Sequence, residues 1–143
     1  MILYLDASAL VKRYIAEKNS PQVNAWITSA DAVVTSLITR SEVSAAIGRA
    51  HRMKLISYDD ALLALETFRK EWGKLQRLPV NEVTVERADS LAWEHNLRGY
   101  DAVHLATALF WQETIGSSVI VATFDAQLSE VAHRIQMSVL PDL

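Results

Sequence analysis

Four carboxylates mark the places where this chain turns from an apolar run into a helical one, or lies just beyond. They are Asp6 in YLDASAL, Glu42 in ITRSEVSAA, Asp101 in RGYDAVHLATAL and Asp125 in VATFDAQL. Brought to one place, such groups repel: two like charges about 4 Å apart cost ~4 kcal/mol at an effective dielectric of about 20. A cluster of this kind either raises its pKa values or takes up a cation. An all-oxygen set selects a hard ion such as Mg²⁺ or Mn²⁺ over zinc. A hard cation beside water and phosphate favours phosphodiester hydrolysis, because it can activate the water, steady the leaving oxygen and neutralise charge.

Each acid also has an ordinary structural use. Asp6, Asp101 and Asp125 stand where helix N-caps are expected, and Thr39 and Glu42 have capping-box spacing. Serine, threonine or asparagine would cap as well, so the repeated carboxylate points to a second demand.

The elements that must gather these residues follow from periodicity. Ile2 to Leu5, Ala32 to Thr35 and Ser118 to Ala122 are short apolar runs that read as buried strands. Leu78 to Val83 reads as extended, with a proline suited to a sheet edge, and Gln136 to Leu140 as a final strand. Helices are predicted over Ala7 to Ile15, from Ser20-Pro21, over Ile38 to Met53, from Ser57, over Thr84 to Leu97, Asp101 to Gln112 and Asp125 to Arg134. In the Ser57 helix, Leu62, Leu65, Phe68, Trp72 and Leu75 recur at helical intervals. Gly99 is the expected terminator of the helix before Asp101. Strands alternating with helices indicate an α/β fold with a mainly parallel sheet. In such sheets ligands sit outside the carboxyl ends of the strands, which is where Asp6 and Asp125 fall.

Residues 1–143 suit one domain, long enough to bury a core without staples. With no cysteine, disulfides and thiolate metal sites are excluded. Asp6 interrupts the N-terminal apolar stretch, so it does not read as a secretion signal, and no uncharged run reaches the ~20 residues of a membrane span. A soluble, cytoplasmic protein is expected, with no membrane partner. The net charge of −3 weighs against a broadly basic nucleic-acid binder, although Arg49, His51, Arg52 and Lys54 cluster locally.

From LDASALVKRY to VATFDAQLSEVA, nearly its whole length, the chain resembles PIN domains, and more closely VapC-type toxin ribonucleases. The order and spacing of the motifs carry the resemblance, especially LRGYDAVHLATAL followed by a strand ending in T-x-D. It implies a three-layer α/β/α fold with strand order 3-2-1-4-5, and a Mg²⁺- or Mn²⁺-dependent endoribonuclease leaving 5′-phosphate and 3′-hydroxyl ends. It makes Asp6, Glu42, Asp101 and Asp125 the catalytic quartet. Asp6 and Asp101 are its most direct metal ligands, Asp125 is a further one, and Ser8 and Thr123 are supporting hydroxyls. It also implies an RNA substrate, transfer RNA at a structured loop among the options, a cognate antitoxin seated on helices around Ile38–Met53 and Ser57–Leu75, and a homodimer.

Two alternatives are open at this stage. A haloacid-dehalogenase-type phosphatase would also place an aspartate after the first strand, but its second aspartate is Ser8 here. A catalytically inactive PIN-like module that binds RNA or protein would use the acids only as caps. Lys12, Arg13 and Arg40 are candidate contacts to RNA phosphates, as is Arg98. His104, three residues after Asp101, reads as a core histidine, and Trp26, Trp72, Trp93 and Trp111 as core or interface residues rather than base-stacking platforms.

Overall fold

The computed structural model describes residues 1–142. Its frame is one five-stranded, all-parallel sheet in the order β3-β2-β1-β4-β5. The strands are β1 (Ile2–Leu5), β2 (Ala32–Ser36), β3 (Gln76–Leu78), β4 (Val119–Ala122) and β5 (Ser138–Leu140). β1 lies at the centre, pairing Leu3 with Val33 on one side and Ile120 on the other. The strands are apolar because both faces are covered. Leu3 and Leu5 pack with Phe68, Val43 and Ile47 on one face, while Tyr4, Val119 and Val121 pack with Leu91, Leu105 and Leu128 on the other. The period-two alternation of a strand thus feeds two cores and gives three layers.

α1 (Ala7–Leu10), α2 (Ser20–Ser29), α3 (Thr39–Arg52) and α4 (Tyr58–Glu71) precede β3 in the chain. α5 (Glu82–His95), α6 (Gly99–Ile115) and α7 (Ala126–Arg134) follow it. Arg49, His51 and Arg52 fall in the last turn of α3, where cations meet the negative end of the helix.

Several local expectations are corrected. The Ala7 to Ile15 helix is one α-turn continued by a 3₁₀ turn at Val11–Arg13. The extended segment expected at Leu78 to Val83 lies earlier, at Gln76–Leu78, because Asn81 caps α5 by accepting from the Thr84 amide. α5 ends at Asn96 in the left-handed region, and Gly99 opens α6 instead of closing α5. Thr39 does not cap α3: its buried hydroxyl lies 2.8 Å from that of Thr35, which in turn donates to the Leu5 carbonyl at 2.6 Å. Along α4 the buried positions are Ala61, Ala64, Phe68 and Trp72, whereas Leu62 and Leu63 face outward.

Arg13 ties the end of α1's 3₁₀ extension to α4. Its Nε lies 2.7 Å from Glu71 Oε2, and the Tyr14 hydroxyl donates to the same oxygen at 2.9 Å. The Arg13 bond, helped by Tyr14, holds the Glu71 carboxyl below its ordinary value of 4.5 against the opposing effect of partial burial. An acid with a lowered folded-state pKa stabilises fully above its unfolded value, and that contribution fades as pH falls through the folded one. Glu71→Gln should therefore lower the urea midpoint at pH 7, and the gap to the parent should close as pH is brought below 4.5. Urea titrations from neutral to acid pH check this; a gap independent of pH would refute it.

Candidate active site

The sheet reverses its winding at β1: β2 and β3 build outward on one side, β4 and β5 on the other. That switch point opens a crevice at the carboxyl ends of β1 and β4. Asp6 follows β1 directly and Thr123 follows β4. Glu42 comes from the first turn of α3 and Asp101 from the first turn of α6, while Asp125 caps α7. All four acids, with Arg98 and His104, line one pocket of about 160 Å³.

Asp6 is the most tightly held. Its Oδ1 accepts from the Ser8 hydroxyl at 2.7 Å and the Ala9 amide at 3.0 Å, and its Oδ2 from the Thr123 hydroxyl at 2.5 Å. The Ser8 hydroxyl lies 3.3 Å from that of Thr123 and accepts from the Phe124 amide at 2.9 Å. Two loops from adjacent strands are thereby stitched around one carboxylate. Asp6 is both an N-cap and a member of the pocket, and so is Asp125, whose Oδ1 accepts from the Leu128 amide at 2.9 Å. Asp101 is not a cap. It sits within the first turn of α6, only 4% exposed, and its Oδ2 faces the pocket group Arg98.

Glu42 is aimed by a buried chain. His104 Nε2 lies 2.6 Å from Glu42 Oε1, and His104 Nδ1 lies 2.7 Å from the Tyr4 hydroxyl. Burial, then the charges of Asp6 and Glu42, push the Tyr4 phenol well above its ordinary value, so it stays protonated. A carboxylate only accepts, so His104 Nε2–H is the donor to Glu42. The core position of His104 agrees with the sequence, but its bond to Glu42 was not legible there: the two are 62 residues apart.

Burial raises the Asp6 carboxyl above its ordinary value, in opposition to His104 and the three bonds it accepts. Asp101 is raised too, first by burial, then by Asp125 and Asp6, with Arg98 opposing. Arg98 bridges the two sides: its Nε donates to Asp101 at 2.9 Å and its terminal nitrogen to Asp125. As the side chains stand, no three Asp, Glu or His groups among the described residues converge on one point. The donor set nonetheless fits a hard divalent ion in kind. It offers carboxylate oxygens without thiolates, two of them buried, and a single guanidinium against four acids.

The sequence matches the PIN domain family over residues 3–134. This chain belongs to that family. It is 32% identical to ribonuclease VapC45 of Mycobacterium tuberculosis over 141 residues, 98% of this chain and 95% of that one. Among solved structures it resembles FitAB bound to a DNA fragment, with a TM-score of 0.69, 20% identity and coverage of 96% and 93% of the two chains. It also resembles a toxin–antitoxin complex from Klebsiella pneumoniae, with a TM-score of 0.57, 20% identity and 84% of each chain covered. The strand order read from the PIN resemblance is the one observed.

The other sequence candidates lie outside the lining of this PIN-domain pocket. Lys12 reaches Glu17 and the Lys18 carbonyl and sits 4.7 Å over the Phe124 ring. Arg13 is held by Glu71, and Arg40 lines a separate groove with Ser44 and Arg69. Trp72 is core, Trp26 stacks on Phe124, and Trp111 packs against the core. Trp93 is 89% exposed, contrary to a core reading.

A carboxyl whose folded-state pKa is raised stabilises fully below its unfolded pKa, and that contribution is lost as pH rises through the folded value. For the metal-free protein, Asp6→Asn should therefore remove part of the stability lost between about pH 4 and neutrality, the ordinary aspartate value being 3.8. Denaturant unfolding in EDTA across that range tests this; a variant whose pH dependence parallels the parent's would contradict it.

Proposed function

We propose that this PIN-domain protein is a Mg²⁺- or Mn²⁺-dependent endoribonuclease, the toxin of a type II toxin–antitoxin pair. The observation that carries the reading is the meeting of Asp6, Glu42, Asp101 and Asp125 in one pocket at the sheet's switch point. Similarity to ribonuclease VapC45 along nearly the whole chain supports RNA as the substrate. The fold shared with a toxin–antitoxin complex supports an antitoxin partner.

In this reading Asp6 and Asp101 would hold the ion, with Asp125 as a third ligand. The ion, when bound, lowers the pKa of water and offsets charge on the phosphoryl oxygens. Ser8, Thr123 and the Ala9 amide fix the rotamer of Asp6, so its carboxylate does not reorganise as charge develops. Glu42 has Oε1 committed to His104, which leaves Oε2 to accept a proton from the attacking water. In-line attack of that water on phosphorus breaks the P–O3′ bond, leaving a 5′-phosphate and a 3′-oxygen that takes a proton to become the 3′-hydroxyl. The protein acts in the cytoplasm as a homodimer, and transfer RNA is one substrate to examine. Among the described residues no helix is long and apolar enough to cross a membrane.

An inactive PIN-like module would conserve helix caps alone. Asp101 caps no helix and is nevertheless buried beside like charges, which favours the enzyme. Purified protein freed of any partner and incubated with total RNA and Mg²⁺ or Mn²⁺ should give discrete cleavage products, abolished by chelator. Asp6→Asn or Asp101→Asn should reduce the rate by at least about 100-fold; variants that cut as fast as the parent would sink the assignment. Growth offers a separate measure. Expression of the chain alone should arrest cells and co-expression of its antitoxin should release them, whereas normal growth at high expression argues against a toxin.

A further inference from the structure

Arg98 stands at a place where helix chemistry disfavours it. It is the N-cap of α6, makes no side-chain capping bond, and brings a positive charge to the positive end of a 17-residue helix. Its guanidinium is instead spread across the pocket, reaching Asp101 from one nitrogen and Asp125 from another. These two acids come from different helices and are drawn together by that one group. The side chain is 49% exposed, so it can leave without opening the core. Its carbon centre lies 5.3 Å from the ring of Tyr100, itself half exposed and part of the pocket lining.

A guanidinium and a divalent ion cannot both occupy the gap between Asp101 and Asp125, because both would claim the same oxygens and repel each other. The ion carries the larger charge, and four carboxylates around one arginine leave negative charge still unbalanced. From this geometry, and resting on the metal-dependent reading above, we infer that Arg98 is the resident counter-ion of the pocket, which a divalent cation must displace, and that the freed guanidinium then contacts substrate phosphate at the pocket mouth. Tyr100 supplies the second resting surface: a face against which the cation can lie once Asp101 and Asp125 have released it. A planar fork with five donors suits a phosphate as well as it suits a pair of carboxylates. Arg98 thus holds the acids before the ion arrives and the phosphate afterwards.

The test is titration of the full chain with Mn²⁺ alone, followed by calorimetry, for wild type and Arg98→Met. Competition is reciprocal, so removing the guanidinium should tighten Mn²⁺ binding, on the order of tenfold. In the wild type, the Arg98 Nε–H resonance should shift and broaden as Mg²⁺ saturates, which reports displacement without any substitution. Mg²⁺-loaded Arg98→Met should then bind inorganic phosphate about fivefold more weakly than the loaded wild type. Equal or weaker Mn²⁺ binding by the variant, with an unmoved Nε–H signal, overturns the counter-ion role while leaving the metal site intact. Tighter Mn²⁺ binding with unchanged phosphate affinity overturns the phosphate contact. Failure of both proteins to bind any divalent ion overturns the metal-dependent reading itself.

Discussion

Like-charge repulsion at the carboxyl edge of the sheet is the constraint around which this molecule is arranged. Asp6 and Asp101 are almost fully buried, with Asp125 and Glu42 opening on the same pocket. Burial pushes Asp6 and Asp101 toward their neutral forms, and for Asp101 the charges of Asp125 and Asp6 push the same way. The fold answers with three hydrogen bonds to Asp6, a histidine against Glu42, and a guanidinium across Asp101 and Asp125. Those devices oppose the repulsion without eliminating it: both buried carboxyls remain raised above the ordinary aspartate value.

The sheet topology is what brings these groups together. Placing β1 between β2 and β4 sets the turn after β1 beside the turn after β4, so Thr123 reaches Ser8 and Asp6 across 115 and 117 residues of sequence. The helices on either face then bring their first turns to the same edge. The apolar alternation of β1, which sends Leu3 and Leu5 to one core and Tyr4 to the other, also sets Tyr4 beneath His104. One strand therefore supplies an acid at its end and, two residues earlier, the hydroxyl that orients a second acid through histidine.

A cap and a pocket group are not competing descriptions here. Asp6 and Asp125 each use Oδ1 for a helix amide and leave Oδ2 to a pocket partner. Capping fixes the carboxylate's position, and a fixed carboxylate costs less to reorganise when charge arrives. Asp101 and Glu42 lack that support and are steadied instead by side chains: Asp101 by Arg98 one turn away, Glu42 by His104 of another helix.

Much was written locally. Apolar runs bounded by polar ones determined that strands would alternate with helices, and the acids after β1 and β4 were legible because strand ends in parallel sheets share an edge. Order and spacing of motifs were enough to anticipate the PIN frame and its strand order. Local signals failed where two choices of similar energy competed. Thr39 could cap a helix or bond Thr35, and Gly99 could end one helix or begin the next; packing and the Asn96 turn decided. Only the tertiary structure could pair Glu42 with His104, lay Arg98 across two acids, or send Arg13 to Glu71 and away from the pocket. Apart from the Arg98–Asp101 bond, made within one turn of α6, those are contacts between side chains from separate elements. Sequence periodicity carries the direction a residue faces along its own helix or strand, and holds no information about which residue of another element stands opposite.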